Sequence, residues 1–358
     1  MSTFTKGGGS SGALDTAFRV KLILSFAAVY LIWGSTYLAI RFAVETMPPF
    51  LMAGTRFLVA GGILYAFARS RGAAAPSGSH WKSAFIIGGF LLLGGNGSVV
   101  WAEQTVPSGL TALLIATEPL WVVILASFGR DAIRPTRSVV LGLAIGFAGV
   151  GILVGPGLLP GGEGVRPIGA LVLVLASASW AHGSLLARKL PAASSPVLVA
   201  GMQMVAGGAL LTLTGLVTGE TSRLDPGAFS TRSILALVYL AVFGSLVAFS
   251  AYSWLVRNVA PSRAATYAFV NPVVAVLLGW ALAGEVITGR TALAAAVIIG
   301  GVVLIIRQQP GRPKKSSTRA SSPTDRSGGA SPRAGAESIP SCQREEPLPQ
   351  SCTSPAPP

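Results

Sequence analysis

Two ionisable side chains, Arg56 and Glu118, stand inside long apolar runs of this 358-residue chain. A charge placed at that depth in a bilayer costs several kcal/mol unless it faces a partner or water. The guanidinium would attract an anionic group, and the carboxylate would bind a cation or a proton, with Arg56 as its electrostatic partner. Both positions recur in the second half of the chain as amides: Arg56 corresponds to Gln203 and Glu118 to Asn271. Four polar side chains therefore occupy two related positions. Two readings stand at this point. They line a central cavity, or they are a buried pair and two amides that fix helix packing.

Neighbouring residues extend the set. Pro119 and Pro272 follow the two polar residues directly, each removing a backbone hydrogen bond, freeing the carbonyls of Ile115 and Ala268 and kinking its helix. Three- and four-residue spacing puts Thr111 and Trp121 on the face of Glu118, and Tyr267 on the face of Asn271. Asn96 sits in the glycine-dense run Gly94-Gly95-Asn96-Gly97, where backbones approach closely. The candidates for substrate binding are thus Arg56, Asn96, Glu118, Trp121, Gln203, Tyr267 and Asn271. For gating or proton coupling they are Trp33, Trp180, His182 and Glu118, the imidazole because it titrates near neutrality. Trp33, Trp180 and Tyr252 equally suit the aromatic belt of a membrane interface.

Other chemistry is missing. The chain has no His-Glu-x-x-His, no Gly-Lys-Ser/Thr phosphate loop and no Cys/His metal spacing. Gly183-Ser184 and Gly244-Ser245 have no base at a known spacing. Cys342 and Cys352 both lie in a polar tail, so no disulfide framework is implied. No catalytic residue, metal or cofactor is expected, nor an ATP-driven motor. A membrane-embedded enzyme and a non-transporting scaffold or sensor are the competing classes. The first needs a nucleophile–base or metal constellation, and the second needs no polar residues paired between repeats.

The elements that must hold these residues follow from composition. Apolar residues make up 51% of the chain and charged ones only 11%, where a soluble domain has about a quarter charged. Ten runs approach the roughly 20 apolar residues a spanning helix needs: Leu22–Ile40, Phe50–Ala68, Ala84–Trp101, Ser108–Phe128, Ser138–Gly155, Ile168–Ala187, Val197–Thr218, Ser233–Val256, Ala264–Ala283 and Thr291–Ile306. The fold expected is an all-α integral membrane protein of ten transmembrane helices. The first run is too long for a signal peptide and lacks a small-residue cleavage site, so it stays. Residues 1–21 form an N-terminal segment, and residues 308–358, rich in Ser, Pro, Arg and Gly, form a basic tail too polar to fold. At 1.5 Å per residue, Arg56 lies about 9 Å and Glu118 about 15 Å below the outer ends of their helices. The net charge of +14 does not indicate nucleic-acid binding, because the basic residues sit in short clusters between the runs. With the N-terminus inside, 21 of the 27 Lys and Arg fall on the inner side, five outside, and Arg56 is the remainder. This asymmetry predicts cytoplasmic termini in a multi-pass cell-membrane protein.

The two halves are alike. Trp33 with Arg41 recurs as Trp180 with Arg188, and Val59-Ala60-Gly61-Gly62 as Val205-Ala206-Gly207-Gly208. Pro107-Ser108 matches Pro261-Ser262, and Gly149-Val150-Gly151 matches Gly300-Gly301-Val302. Residues 22–155 and 168–307 thus form two five-helix repeats. Because five is odd, the second copy enters the membrane from the opposite face, the inverted-repeat architecture of alternating-access transporters.

Over roughly residues 22–307 the chain resembles the EamA-type drug/metabolite transporters, and within them the YedA/PecM-like exporters. The resemblance rests on Ile32-Trp33-Gly34-Ser35 with Arg41, Arg56-Phe57-Leu58, Gly95-Asn96-Gly97 and Trp101-Ala102-Glu103-Gln104-x-x-Pro107-Ser108-Gly109-Leu110. In the second half it rests on Ala265-Thr266-Tyr267-x-x-Val270-Asn271-Pro272-Val273 and Gly284-Glu285. It implies export or exchange of small metabolites, an amino acid among them, without ATP hydrolysis. The partners expected are that small substrate and the lipid bilayer, with no nucleic acid; a homodimer is compatible. The long tail departs from compact members, and no function transfers to it.

Overall fold

The structure, a computed structural model, describes residues 10–128, 135–155, 166–259, 263 and 266–308. The Pro261-Ser262 motif, the first nine residues and the tail with both cysteines lie outside them. All regular structure among the described residues is helical. The helices are α1 (Ser10–Ala43), α2 (Pro49–Ser70), α3 (Gly78–Ala102), α4 (Ser108–Ala126) and α5 (Arg137–Val154), then α6 (Pro167–Leu186), α7 (Pro196–Val217), α8 (231–258), α9 (Tyr267–Ala283) and α10 (Gly289–Gln308). Nine are long and apolar enough to cross a membrane. The tenth, α9, has 17 residues, and its expected start at Ala264 lies outside the described residues.

Local sequence explains most of the starts. Proline, whose fixed φ suits a first turn, opens α2, α6 and α7. The hydroxyls of Thr136 and Ser195 accept from Val139 N–H and Leu198 N–H at the starts of α5 and α7. The largest boundary correction is α1, which begins at Ser10 and not Leu22, so that residues 10–21 of the expected N-terminal segment are helical; α3 begins at Gly78 and not Ala84. Ser77 and His80 form a reciprocal capping box there, and a search for apolar runs passes over this polar turn.

Helix contacts reproduce the internal repeat. Helices α2 and α7, second in each repeat, pack on one another, as do the fifth helices, α5 and α10. Contacts between unlike members come in exchanged pairs: α1 with α9 and α6 with α4, α1 with α8 and α6 with α3. Equivalent helices run antiparallel, which is the inversion itself. A Cβ built on Gly54 would lie 2.9 Å from Thr212 N and 3.2 Å from Gly208 O, and one on Gly201 would lie 2.7 Å from Tyr65 N and 3.0 Å from Gly61 O. One on Gly61 would meet Val205 N and Gly201 O, and one on Gly208 would meet Leu58 N and Gly54 O. A single two-fold operation exchanges these contacts, carrying Gly54 onto Gly201 and Gly61 onto Gly208. The register keeps Arg56 opposite Gln203. It shifts by one the sequence match that set Gly61-Gly62 against Gly207-Gly208, because residue identity alone favoured the wrong glycine of each pair. Gly142, Gly149 and Gly301 make the same close approach between α5 and α10. Such small-residue contacts let helices associate where lipid removes any hydrophobic drive between them.

Large apolar side chains such as Ile23, Leu31, Val59, Leu175, Leu213 and Trp280 are exposed along the helices, as lipid-facing surfaces require. Inside, packing differs between the two ends. The largest apolar cluster draws on α1 through Ala39, Ile40 and Ala43, on α3 through Val99 and Val100, on α4 through Leu113 and Leu114, and on α6 through Ala170 and Leu173. These residues belong to the end where α1 finishes. At the opposite end the buried residues divide into two separate clusters, around Leu198 and Met202 and around Leu120 and Ile305. Packing is thus most continuous at the Arg41 end, the closed end below, although the large cluster also runs along α2 and α7 to Leu64, Ala200 and Met204 and meets the Leu198 cluster at Val197.

Candidate functional site

Interruptions in three helices position the polar residues. Helix α4 stops at Ile115 and restarts at Glu118, so that Glu118 occupies the first turn of a half-helix with Pro119 behind it. There it benefits from the partial positive charge of the helix start. The hydroxyl of Thr117 donates to Leu114 O at 2.6 Å and contacts Ser177 Oγ of α6 at 2.9 Å, so one carbonyl freed by the break is satisfied. Pro272, by contrast, lies inside an unbroken helix, so the sequence-predicted kinks are not equivalent. The third helix of each repeat contains a widened turn with i→i+5 bonding, Gly89–Gly97 in α3 and Leu240–Val247 in α8. Turns of this kind concentrate at functional sites.

Arg56 is 5% exposed. Its Nε donates to Ser245 Oγ at 3.0 Å, its guanidinium lies 4.6 Å from the Phe57 ring, and Nη1 has no partner. Nη2 borders Gly244, whose carbonyl accepts from Trp33 Nε1 at 3.2 Å. The Trp33 ring in turn contacts Tyr252 and Tyr267, with centroids 5.0 and 5.3 Å away, and the two tyrosines meet edge-on at 5.7 Å. Glu118, half-buried, acts electrostatically on Tyr37, Tyr252 and Tyr267. Arg56, Trp33, Tyr252 and Tyr267 therefore form one connected group. The expected Arg56–Glu118 ion pair is not formed: the guanidinium is turned to the widened turn of α8, and Ser245 is its partner.

The second repeat mirrors part of this arrangement. A Cβ on Gly95 would lie 2.7 Å from the Trp180 ring, as Gly244 lies beside Trp33. Asn96, next in the chain, keeps a buried Oδ1 without a partner, and Asn271, 7% exposed, does the same. Gln203 is half-buried, its main-chain carbonyl against Gly88. His182 packs edge-on against Phe90 at 4.7 Å, and Trp121 packs against Phe147 of α5 at 5.6 Å. Trp121 Nε1 is buried without a hydrogen-bond partner.

Sequence reasoning passed over two groups. Ser245 was dismissed for want of a catalytic base, and only the fold brings it to Arg56. The carboxylates at the closed end were set aside as loop charges, yet two of them hold helix starts that lack caps of their own. Glu285 accepts from Ser108 N–H at 2.6 Å, Ser108 Oγ at 2.8 Å and Gly109 N–H at 2.9 Å, at the head of α4. Glu220 accepts from the N–H groups of Phe50 and Leu51 at 3.1 and 2.9 Å, at the head of α2. The Gly284-Glu285 pair of the family resemblance is the signal that could have marked the first.

A membrane protein built from two inverted five-helix repeats, with interrupted helices and unpaired polar groups around its two-fold axis, has the architecture of a transporter. The chain belongs to the EamA-like transporter family, whose model matches residues 20–155 and 167–307. It is 43% identical over 282 residues to a protein of Escherichia coli K12 named as the uncharacterized inner membrane transporter YedA, covering 78% of this chain and 88% of that one. It is 26% identical over 294 residues to a probable amino-acid metabolite efflux pump of the same strain, covering 77% and 91%. A crystal structure at 22% identity shares the fold with a TM-score of 0.54, over 80% of this chain and 97% of the other. Apolar helices and inner-membrane relatives together make this a multi-pass inner membrane protein.

Proposed function

We propose that the chain is a secondary transporter that exports or exchanges small metabolites by alternating access, without ATP hydrolysis and with both termini cytoplasmic. The observation that carries this reading is the Arg56 guanidinium, buried beside the widened turn of α8 with Nη1 free and with the Trp33, Tyr252 and Tyr267 rings grouped next to it. A buried cation with an unused donor is an anion subsite, and the rings supply a face for an apolar moiety. Asn96 and Asn271 each offer an unused carbonyl oxygen for a donor on the substrate. Two apolar clusters at one end against a continuous core at the other fit a state open to one side. With the basic residues facing inward, that side is the cytoplasm. The amino-acid efflux relative makes carboxylate-bearing metabolites the first substrates to test.

The experiment is flux in proteoliposomes with a panel of carboxylate metabolites and their neutral amides, with and without a pH gradient. Saturable flux of a carboxylate that Arg56→Ala abolishes supports the reading. A panel without flux, or flux indifferent to Arg56, removes it.

A further inference from the structure

The end of α3 presents a second buried carboxylate. Glu103 follows the last turn of α3 and is 0% exposed, and neither of its side-chain oxygens has a hydrogen-bond partner. Arg41, at the end of α1, approaches it, yet its Nη1 donates at 2.6 Å to the main-chain carbonyl of Glu103 and leaves the carboxyl unbonded. Glu285 stands near as well, with its own oxygens engaged at the head of α4. The charged and titratable groups acting on Glu103 are thus Arg41 and Tyr37 of α1 and Glu285 between α9 and α10. Glu103 thus stands where the end of α3 is tied to α1 by Arg41, close to the Glu285 clasp that joins the end of α9 to the head of α4.

An ionised carboxylate needs donors or solvent, and here no protein group donates to it and none of its surface is exposed. A neutral carboxylic acid fits the same space. Parting α1, α3 and α4 at this end would admit water and restore the ordinary solvation of the acid. We propose that Glu103 is the proton-binding latch of the closed end: protonated while α1, α3, α4 and α9 are packed together, and releasing its proton to water when that end opens. Burial pushes the Glu103 carboxyl well above the usual carboxylate range, Glu285 adds to the effect and Arg41 opposes it. The sign follows. Between the ordinary carboxylate pKa and the raised one, the closed state holds one proton more than the open state, so rising pH favours opening, tenfold in the open-to-closed ratio per pH unit. The proposal rests on the transporter reading only for its use in transport, since the latch is read by accessibility rather than flux.

The test uses the full-length chain in membranes, with Cys342→Ser and Cys352→Ser removing its two cysteines. Thr111→Cys places a reporter on α4 at a 0% exposed position near this end. The rate of modification by an impermeant thiol reagent is measured from the Glu103 side between pH 5 and 9. A rise of about tenfold per pH unit over part of that range, flattened by Glu103→Gln at its low-pH value, supports the latch. The same rise in Glu103→Gln overturns it. Because Glu103→Gln could fail to fold, infrared spectroscopy of the parent chain gives a second measure. A carboxylic-acid carbonyl band at neutral pH that Glu103→Asp shifts is expected, and the absence of any such band overturns the proposal. Flux that persists while accessibility ignores pH would remove the latch and leave the transporter reading standing. PH-gated accessibility without flux would do the reverse.

Discussion

Replacing Gly61 with alanine tests the two-fold contact between α2 and α7 against its nearest neighbour in sequence. The new methyl carbon would lie 2.7 Å from Met204 Cβ, 2.8 Å from Val205 N and 2.9 Å from Gly201 O. Two of these atoms belong to the α7 backbone, so a rotamer change cannot relieve the clash, and the helices must move apart by several tenths of an ångström. Overpacking of this kind costs about 1–3 kcal/mol. Alanine's better helix propensity, worth up to ~1 kcal/mol, offsets only part of it. Gly62→Ala introduces the same methyl one residue on, where nothing lies within 4 Å, so it keeps the propensity gain without the clash. The measurement is thermal unfolding in detergent, with urea or SDS titration as a second axis, on the parent and both variants. Gly61→Ala should fall below the parent by about 1–2 kcal/mol, and Gly62→Ala should equal or exceed it. If the two behave alike, the antiparallel contact is not where the two-fold operation places it, and the register of the repeats is wrong.

Glu285→Gln keeps the shape of the α4 cap but sets an amide donor against one of three donors; a loss of about 1–3 kcal/mol is expected by thermal unfolding, and a stable variant would show that water caps α4 equally well. Arg56→Lys keeps the charge but sacrifices the planar donor set that reaches Ser245, so it should weaken binding of a carboxylate substrate about tenfold, read as the half-saturating concentration in flux assays. Glu118→Gln should retain substrate binding while changing the pH profile of flux; an unchanged profile would leave Glu118 as a packing residue and Glu103 as the better coupling group. Deleting Gly311–Pro358 should leave insertion and flux intact, because no repeat-matched residue is lost; an inserted but inactive truncation would make the tail a functional part.

The ten helices were legible because each spanning run must be apolar over its whole length, whatever it packs against. The inversion was legible from the odd helix count and from pairs such as Trp33 and Trp180. Exact register was not. Gly61 and Gly62 look identical in sequence, and only the approach of the α7 backbone distinguishes them. Arg56 and Glu118 were found by subtraction, since nothing else charged lies within a run, but subtraction says nothing of direction. The guanidinium found Ser245 instead of Glu118 because α8 widens by one residue at that turn, and no local propensity announces it. His182 was chosen because an imidazole titrates near neutrality and Trp121 because helical spacing puts it on the face of Glu118, and the structure gives them the aromatic neighbours Phe90 and Phe147. Glu103 and Glu285 were quoted in motifs yet assigned no role, because loop position was taken as solvent exposure.

The carboxylates at the heads of α2 and α4 also bear on how the protein can move. Each lies far along the chain from the helix it holds: Glu220 follows α7 and binds the start of α2, while Glu285 follows α9 and binds the start of α4. Each repeat is therefore stitched to the other at this end by a charged clasp, but the two clasps differ in what they join. The Glu220 clasp ties together α2 and α7, which already abut along glycine-lined backbones, and so reinforces a fixed hinge. The Glu285 clasp crosses from α9 to α4, two helices carrying the site residues Asn271 and Glu118. In the alternating-access cycle proposed above, a rocking motion that opened this end would spare the first and strain the second, so Glu285 is the joint such an opening would have to break.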